Sequence, residues 1–227
     1  MGLHPYCIVP AGHEPPSGLA GLFGKPVRPL GAGPFLVWAS EAETPPCQDL
    51  DSISAHHAVV VAAMDRTTPL PVRFGGWSAG DGELVARIVD RRDELAEALE
   101  TVRGRIEFGV RILEADRPEA AAPEPPEAPY RDGRTYLREL ARRQAVQRER
   151  RVLQDELTER LHRSVERFAH DERVRPLEAP GLVACAHLVH RGDEERYRSA
   201  VRAFAHAVGA GCRVHVTGPW PPYSFTS

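Results

Sequence analysis

The strongest candidate for chemistry in this sequence is the pentapeptide Gly76-Trp77-Ser78-Ala79-Gly80, a G-x-S-x-G motif. In serine hydrolases this spacing forms a nucleophile elbow, in which a tight turn between a strand and a helix exposes the serine hydroxyl. Such a serine attacks an acyl carbon and needs a histidine base that is oriented by an acid. Later in the chain, the candidate acids are Asp171 and Asp193, and the candidate bases are His187 and His206.

The sequence around Ser78 argues against such an elbow. An α/β-hydrolase sheet needs several parallel strands that alternate with helices, whereas the second half of this chain has the pattern of a β-hairpin with helices. Gly80-Asp81-Gly82 also loosens the turn where a strained elbow would pass directly into a helix. A serine hydrolase that uses Ser78 is therefore kept as an alternative function, and no catalytic residue is assigned.

The segment 18–25 contains three glycines and ends in Lys25, as a phosphate-binding loop does. Backbone N–H groups of such a loop cradle phosphate oxygens. Leu19, however, occupies the first glycine position of G-x-x-x-x-G-K, and Pro26 replaces the Ser or Thr that would hold magnesium. The segment therefore predicts a structured loop rather than a nucleotide site.

Histidines and cysteines are the remaining candidates for metal ligands, at His56-His57 and in the run from Cys185 through His187 to His190. On a strand, Cys185 and His187 share one face while His190 lies on the other, so a single ion cannot easily take all three. The four cysteines lie far apart without a C-x-x-C pair, which is typical of small core residues: Cys7, Cys47, Cys185 and Cys212. The sequence predicts no metal and no cofactor.

Charge and hydropathy exclude two classes of partner. The net charge is only −3, and the arginines of segment 134–170 alternate with acids at helical spacing, as Glu139 does with Arg143. No aromatic ladder for stacking bases accompanies them. The chain has no signal-peptide pattern and no apolar run of the ~18 residues that span a membrane. We therefore expect a cytoplasmic protein that binds neither nucleic acid nor a membrane.

The first domain is predicted to be a small α+β unit over residues 1–104. Apolar runs predict strands at 6–9 and 35–39, with a loop rich in Gly and Pro at 10–34. An Ala-rich segment predicts a helix at 51–64, and alternation predicts a strand at 70–75. One further helix is expected to start at Asp81, with its apolar face formed by Leu84, Ile88, Leu95, Leu99 and Val102.

The second domain is predicted over residues 105–217. A strand at 106–113 is followed by a tether of Pro, Glu and Ala at 115–129 and by a helical insertion at about 130–170, in one piece or several. Strands at 174–177 and 182–190, a helix at 193–208 and a strand at 213–217 complete the series. This order is that of a ferredoxin-like domain. The predicted fold class is α+β, with a modified ferredoxin-like second domain.

The tail, residues 218–227, combines three prolines with the large side chains of Trp220, Tyr223 and Phe225. Prolines lower the entropy of an extended segment, and aromatic side chains are strong anchors. We expect the tail to dock on its own protein, between the two domains. A recognition segment for another chain is the alternative.

The tail also carries a resemblance to a known family. VTGPWPPYSF at 216–225 resembles the carboxyl end of the gas vesicle GvpL/GvpF proteins. YCIVPAG, HHAVVVAAM, TPLPVRFG and IEFGVRI are similar to further family blocks and stand in the family order. Phe108 and Arg111 stand where the family commonly has Trp and Lys, and the G-x-S-x-G motif is not a family feature.

The resemblance implies a non-enzymatic accessory factor of gas vesicle formation, located in the cytoplasm and on the gas vesicle. Its implied partners are the small hydrophobic gas vesicle shell protein and other gas vesicle accessory proteins. Arg73 needs a partner if it lies in an apolar strand, and Glu107 or a tail carbonyl is the candidate. The partner or interdomain contacts expected are Arg73, Glu107, Trp220, Tyr223 and Phe225. A ferredoxin-like regulatory module that binds a small ligand remains a further alternative.

Overall fold

The structure is a computed structural model that describes residues 2–115, 133–178 and 181–226. Nearly all of the predicted tether, residues 116–129, lies outside them. The chain forms two units, one of Met1–Glu107 with Pro219–Ser227 and one of Phe108–Gly218. The tail is therefore part of the first unit, although it follows the second unit in sequence.

The first unit contains a four-stranded antiparallel sheet in the order β2-β3-β1-β4. β1 pairs with both β3 and β4, so it is the central strand on which the unit is built. The elements of this unit are β1 (Leu3–Pro10), β2 (Arg28–Ala32), β3 (Phe35–Glu41), α1 (Leu50–Met64), β4 (Leu70–Pro71), α2 (Asp81–Asp90) and α3 (Arg92–Val102).

The core of the first unit lies between β1, β3 and α1. Fully buried apolar side chains of the two strands pack against one face of the helix. Tyr6 organises this core, because its hydroxyl lies 2.7 Å from Ser40 Oγ and accepts the Leu22 backbone N–H at 2.7 Å. A Cβ at position 21 would lie 2.0 Å from that hydroxyl, so only glycine fits there. The glycine-rich segment is thus a packed turn, as predicted.

Three expectations for this unit were wrong in detail. The 10–34 loop contains β2, which pairs along its length with β3. The strand expected at 70–75 ends at Pro71, after which the Gly76 N–H bonds back to the Arg73 carbonyl in a turn. The helix from Asp81 is interrupted at Arg91, whose backbone leaves the helical region without any Pro or Gly to signal it.

The second unit has the ferredoxin-like order of elements. They are β5 (Arg105–Glu114), α4 (Gly133–Val165), β6 (Ala169–Pro176), β7 (Gly181–His190), α5 (Glu194–Val208) and β8 (Cys212–Trp220), and the helical insertion is one continuous helix. The strand order is β6-β7-β5-β8, which places the first and third strands of the motif at the centre. The α+β fold class is confirmed.

Both helices of the second unit bury apolar side chains. α4 contributes Leu157, Leu161 and Val165, and α5 contributes Tyr197, Val201 and Phe204. Phe108 of β5 stacks on Tyr197 with ring centroids 4.8 Å apart, and the Arg198 guanidinium lies 4.7 Å from the Phe108 centroid. The Phe108 ring therefore makes both a stacking and a cation–π contact with α5.

The arginines of α4 are paired with acids as the helical spacing predicts. Glu139 lies 2.9 Å from Arg143, and Glu159 lies 3.4 Å from Arg163. No helix in the described ranges is long and apolar enough to cross a membrane. Of the cysteines expected in the core, Cys7 and Cys185 are buried, whereas Cys47 is exposed.

Two buried histidines connect β1 to α1 inside the first unit. His4 Nδ1 lies 2.9 Å from the Gly76 carbonyl oxygen, and His4 Nε2 lies 2.8 Å from Nδ1 of His56. Because a carbonyl oxygen only accepts, His4 carries its proton on Nδ1, and His56 donates to His4. Desolvation by burial lowers the pKa of each ring to about 4, so both are neutral at pH 7.

We expect the free energy of unfolding to fall as the pH drops from 6.5 towards 4. Each ring binds a proton more weakly in the folded chain than in the unfolded chain, whose ordinary histidine pKa is 6.5. The contribution of each neutral ring to the free energy of unfolding is therefore fully present above pH 6.5 and is lost as the pH falls towards 4. For one ring, a pKa lowered to about 4 corresponds to a contribution of ~3 kcal/mol. Urea unfolding between pH 6.5 and pH 4 measures this free energy. It is compared for the wild type, for His56→Gln and for His206→Gln, a control at an exposed position. An equally steep loss in His56→Gln would show that the pair is not its source.

Candidate partner-binding site

Ser78, the residue of the hydrolase motif, is fully buried. Its backbone pairs with Leu3 of β1 through two hydrogen bonds of 2.8 and 3.0 Å. Its hydroxyl oxygen lies 3.2 Å from the Gly80 carbonyl oxygen and 3.1 Å from Glu83 Oε2, and these two acceptors share its single proton. Glu83 also accepts the Ala79 N–H at 2.7 Å. The motif therefore stabilises the start of α2, where backbone N–H groups have no acceptor within the helix.

The histidines and acids nominated for Ser78 belong to the second unit, whereas Ser78 belongs to the first. His187 has other partners, because its ring nitrogens lie within hydrogen-bond distance of Tyr197 and Glu172. In the structure as described, a carboxylate rather than an imidazole accepts the Ser78 hydroxyl proton. Ser78 does not have the geometry of an activated nucleophile.

The tail lies against the first unit with its side chains divided between core and surface. Phe225 is buried, as are Pro221 and Pro222. Trp220 and Tyr223 are partly open to solvent, with exposed fractions of 39% and 36%. The prolines and the Phe225 ring therefore attach the segment, while two large aromatic side chains stay accessible.

Glu107 fixes the tail in place. Its carboxylate is buried and accepts two hydrogen bonds from Ser224, one from the backbone N–H at 2.8 Å and one from the hydroxyl at 2.7 Å. Burial raises the pKa of Glu107, and the Ser224 bonds act in the opposite direction. A buried carboxylate needs such donors, so the contact defines where the tail can lie.

His57 of α1 positions the two exposed aromatic rings. Its Nδ1 lies 3.0 Å from the Tyr223 hydroxyl, and its ring centroid lies 5.5 Å from that of Trp220 and 5.8 Å from that of Tyr223. Burial lowers the pKa of His57. Leu50 and Ile53 occupy the same helical face and are exposed. We call the set Leu50, Ile53, His57, Trp220 and Tyr223 the α1–tail surface.

The contact residues proposed from sequence are only partly brought together. Glu107, Trp220, Tyr223 and Phe225 lie in or beside the docked tail, but the Arg73 side chain is exposed. Both Glu107 oxygens accept hydrogen bonds from Ser224. The partner of Arg73, whether Glu107 or a tail carbonyl, stays a prediction. Docking of the tail between the domains stays a prediction.

Sequence reasoning did not identify His57 or Ser224 as contacts of the tail. A histidine on a helix and a serine in a tail carry no pattern of their own. The only available signal was that an acid at position 107, between the apolar residues Ile106 and Phe108, requires a donor if it is buried.

A second cluster of polar side chains lies in the second unit. Glu172, Cys185 and His187 bring a carboxylate, a thiol and an imidazole close together, whereas His190 is exposed. A cleft of about 500 Å³ between α4 and α5 is lined in part by Arg160, but that guanidinium already donates to the Ala207 carbonyl. The cleft offers no distinct support for a ligand-binding module.

The fold and the docked aromatic tail define a class: a two-unit α+β protein with a ferredoxin-like second unit. Residues 2–227 match the family described as gas vesicle synthesis protein GvpL/GvpF. The chain therefore belongs to the GvpL/GvpF family, and this membership supports an accessory role in gas vesicles.

Two relatives from Streptomyces agree with this assignment. The chain is 33% identical to gas vesicle protein L of Streptomyces sp. (strain CB03234) over 235 residues, covering 92% of the chain and 86% of the relative. It is 28% identical to gas vesicle protein F of the same organism, covering 88% of each.

Two solved structures share the fold. The crystal structure of gas vesicle protein GvpF from Anabaena sp. PCC7120 gives a TM-score of 0.79 at 20% identity, covering 100% of this chain and 96% of that one. GvpF from Microcystis aeruginosa gives 0.75 at 18% identity, covering 100% and 99%.

We expect a fluorophosphonate probe to leave the protein unlabelled, because the Ser78 hydroxyl is buried and donates to a carboxylate. Ser78→Ala should lower the melting temperature by roughly 2–4 °C through the lost hydrogen bonds. Labelling of the wild type that disappears in Ser78→Ala would instead revive the hydrolase alternative.

We expect Glu107→Gln to release the tail. The neutral amide has one acceptor oxygen instead of two and carries no charge, so the charge-assisted bonds to Ser224 are weakened, at a cost of ~1–3 kcal/mol. Hydrogen exchange of the carboxyl-terminal peptide should then be faster by about tenfold to a hundredfold. Glu97→Gln, at an exposed position of α3, is the matched control and should leave exchange unchanged. Equal exchange in both variants would show that Glu107 does not hold the tail.

Proposed function

We propose that this protein acts in gas vesicle formation by binding the small hydrophobic shell protein, and that the α1–tail surface makes the contact. The observation that supports this most is the pair Trp220 and Tyr223, two large aromatic side chains that are held in position yet stay open to solvent. Other gas vesicle accessory proteins are proposed as additional partners, and the cytoplasm and the gas vesicle as its location.

The chemistry of the surface suits an apolar partner. Trp and Tyr are the residues that most often dominate protein interfaces, because each buries a large apolar area with few rotatable bonds. Leu50 and Ile53 extend the apolar area along α1. Burial of such side chains yields about 25 cal/mol per Å² of apolar area removed from water.

The rings are ordered before any partner arrives. Pro221 and Pro222 restrict the backbone between them, and His57 contacts both rings. Binding then loses little side-chain entropy, which is the main cost of immobilising a flexible anchor.

A shell protein with an apolar face creates the need for such a partner. Large exposed apolar patches aggregate, so a chain that covers one reversibly keeps the shell protein competent for assembly. The paired arginines of α4 support no competing nucleic-acid function, since their guanidinium groups already face acids at helical spacing.

We expect the shell protein of the same organism to be recovered with this protein after co-expression, and recovery to fall at least about tenfold in the double variant Trp220→Ala/Tyr223→Ala. Loss of two hot-spot side chains of this kind costs ~2 kcal/mol or more. Tyr136→Ala, at an exposed aromatic of α4, is the matched control and should bind as the wild type does.

Ser78→Ala serves as a second control in the same experiment, and its recovery should equal that of the wild type. If the double variant is folded and still recovers the shell protein, the contact lies elsewhere on the molecule. If the folded wild type recovers none, direct shell binding is wrong and another gas vesicle protein is the partner to test.

A further inference from the structure

We propose that Glu172, Cys185 and His187 of the second unit form a site for one zinc ion. One ligand atom from each of these residues lies within 4.8 Å of the others, and this is the only such group among the residues that the structure describes. The proposal concerns the second unit alone and is independent of shell-protein binding.

The hairpin of β6 and β7 brings the three side chains together. Glu172 is the direct cross-strand partner of His187, and Cys185 lies two residues before His187 on the same strand face. His187 Nε2 is 2.9 Å from Glu172 Oε1. A small outward movement of these two atoms makes room for an ion with ligand distances of about 2.0–2.3 Å.

The ligand set selects the class of metal. A thiolate, an imidazole and a carboxylate together are typical of zinc, whereas magnesium and calcium prefer oxygen ligands alone. His162 lies beside the cluster, with its Nδ1 2.9 Å from Glu172 Oε2. It, or a water molecule, can complete a tetrahedral site.

The neighbouring residues orient the ligands as metal sites require. His187 Nδ1 lies 2.7 Å from the hydroxyl of Tyr197, which is fully buried. Without metal, the Nε2–H of His187 donates a hydrogen bond to Glu172, so Nδ1 accepts one from the Tyr197 hydroxyl. With zinc on Nε2, the ring carries its proton on Nδ1 and donates to the same hydroxyl, which can act either way.

The charges also balance in this buried position. A zinc ion with one carboxylate, one thiolate and one neutral imidazole is formally neutral, so binding leaves no uncompensated charge in the interior. The thiol proton of Cys185 leaves to solvent when the sulfur binds the metal. Glu172 is partly open to solvent, with a side-chain exposure of 18%, and provides the path of entry.

Cobalt(II) titration of the full, untagged and reduced chain tests the site. We expect one equivalent to bind with a thiolate-to-cobalt charge-transfer band and d–d bands of tetrahedral intensity, both displaced by Zn²⁺. Cys185→Ser should lose the charge-transfer band, while Cys212→Ser and Cys47→Ser should keep it. A band that persists in Cys185→Ser, or a wild type that shows none, would overturn the proposal.

Thermal unfolding provides a second measurement that does not depend on the absorption bands of cobalt(II). At a hundredfold excess over Kd, Zn²⁺ should raise the wild-type melting temperature by roughly 5 °C. Glu172→Gln and His187→Gln should lose this rise, whereas His190→Gln, on the opposite strand face, should keep it. A rise that is equal in all four proteins would place the ion elsewhere and contradict the site.

Discussion

A carboxylate that leaves water must find hydrogen-bond donors, and Glu107 finds both of its donors in Ser224, near the end of the chain. Glu107 lies near the start of β5, and β8, the strand that leads into the tail, is its sheet neighbour. In an antiparallel pair the start of one strand meets the end of the other, so the tail leaves β8 close to Glu107. This contact places the tail beside α1, where His57 contacts the rings of Trp220 and Tyr223.

Much of the fold could be predicted because the spacing of apolar residues along the sequence indicates which side chains are buried. Leu157, Leu161 and Val165 recur at helical spacing on α4, and most of the buried side chains of β1, β3, β5 and β7 are apolar. Two features could not be predicted from the sequence pattern, because each depends on a backbone conformation that many residue types can adopt. β2 was hidden in a loop rich in Gly and Pro because it is an edge strand, and the break at Arg91 has no sequence signature.

The candidate sites were harder to predict, because a motif shows residue types but not partners. Ser78 has the sequence of a nucleophile elbow, yet its hydroxyl supports the start of a helix. Cys185 and His187 were correctly predicted to lie on one face of a strand. Glu172 was not identified, because it lies opposite His187 only in the observed pairing register of β6 and β7. Ion pairs at i and i+4 were predicted correctly, since their geometry is local.

The membership of residues 219–227 in the first unit has a consequence for synthesis of the protein on the ribosome. Translation produces residues 1–107 first, but the donors for Glu107 and the rings that contact His57 are made only after the whole second unit. The first unit is therefore incomplete until residues 219–227 have been made, and a chain that stops before them lacks the α1–tail surface. The α1–tail surface forms only after the second unit has been synthesised, so every chain that can use this surface also carries the second unit.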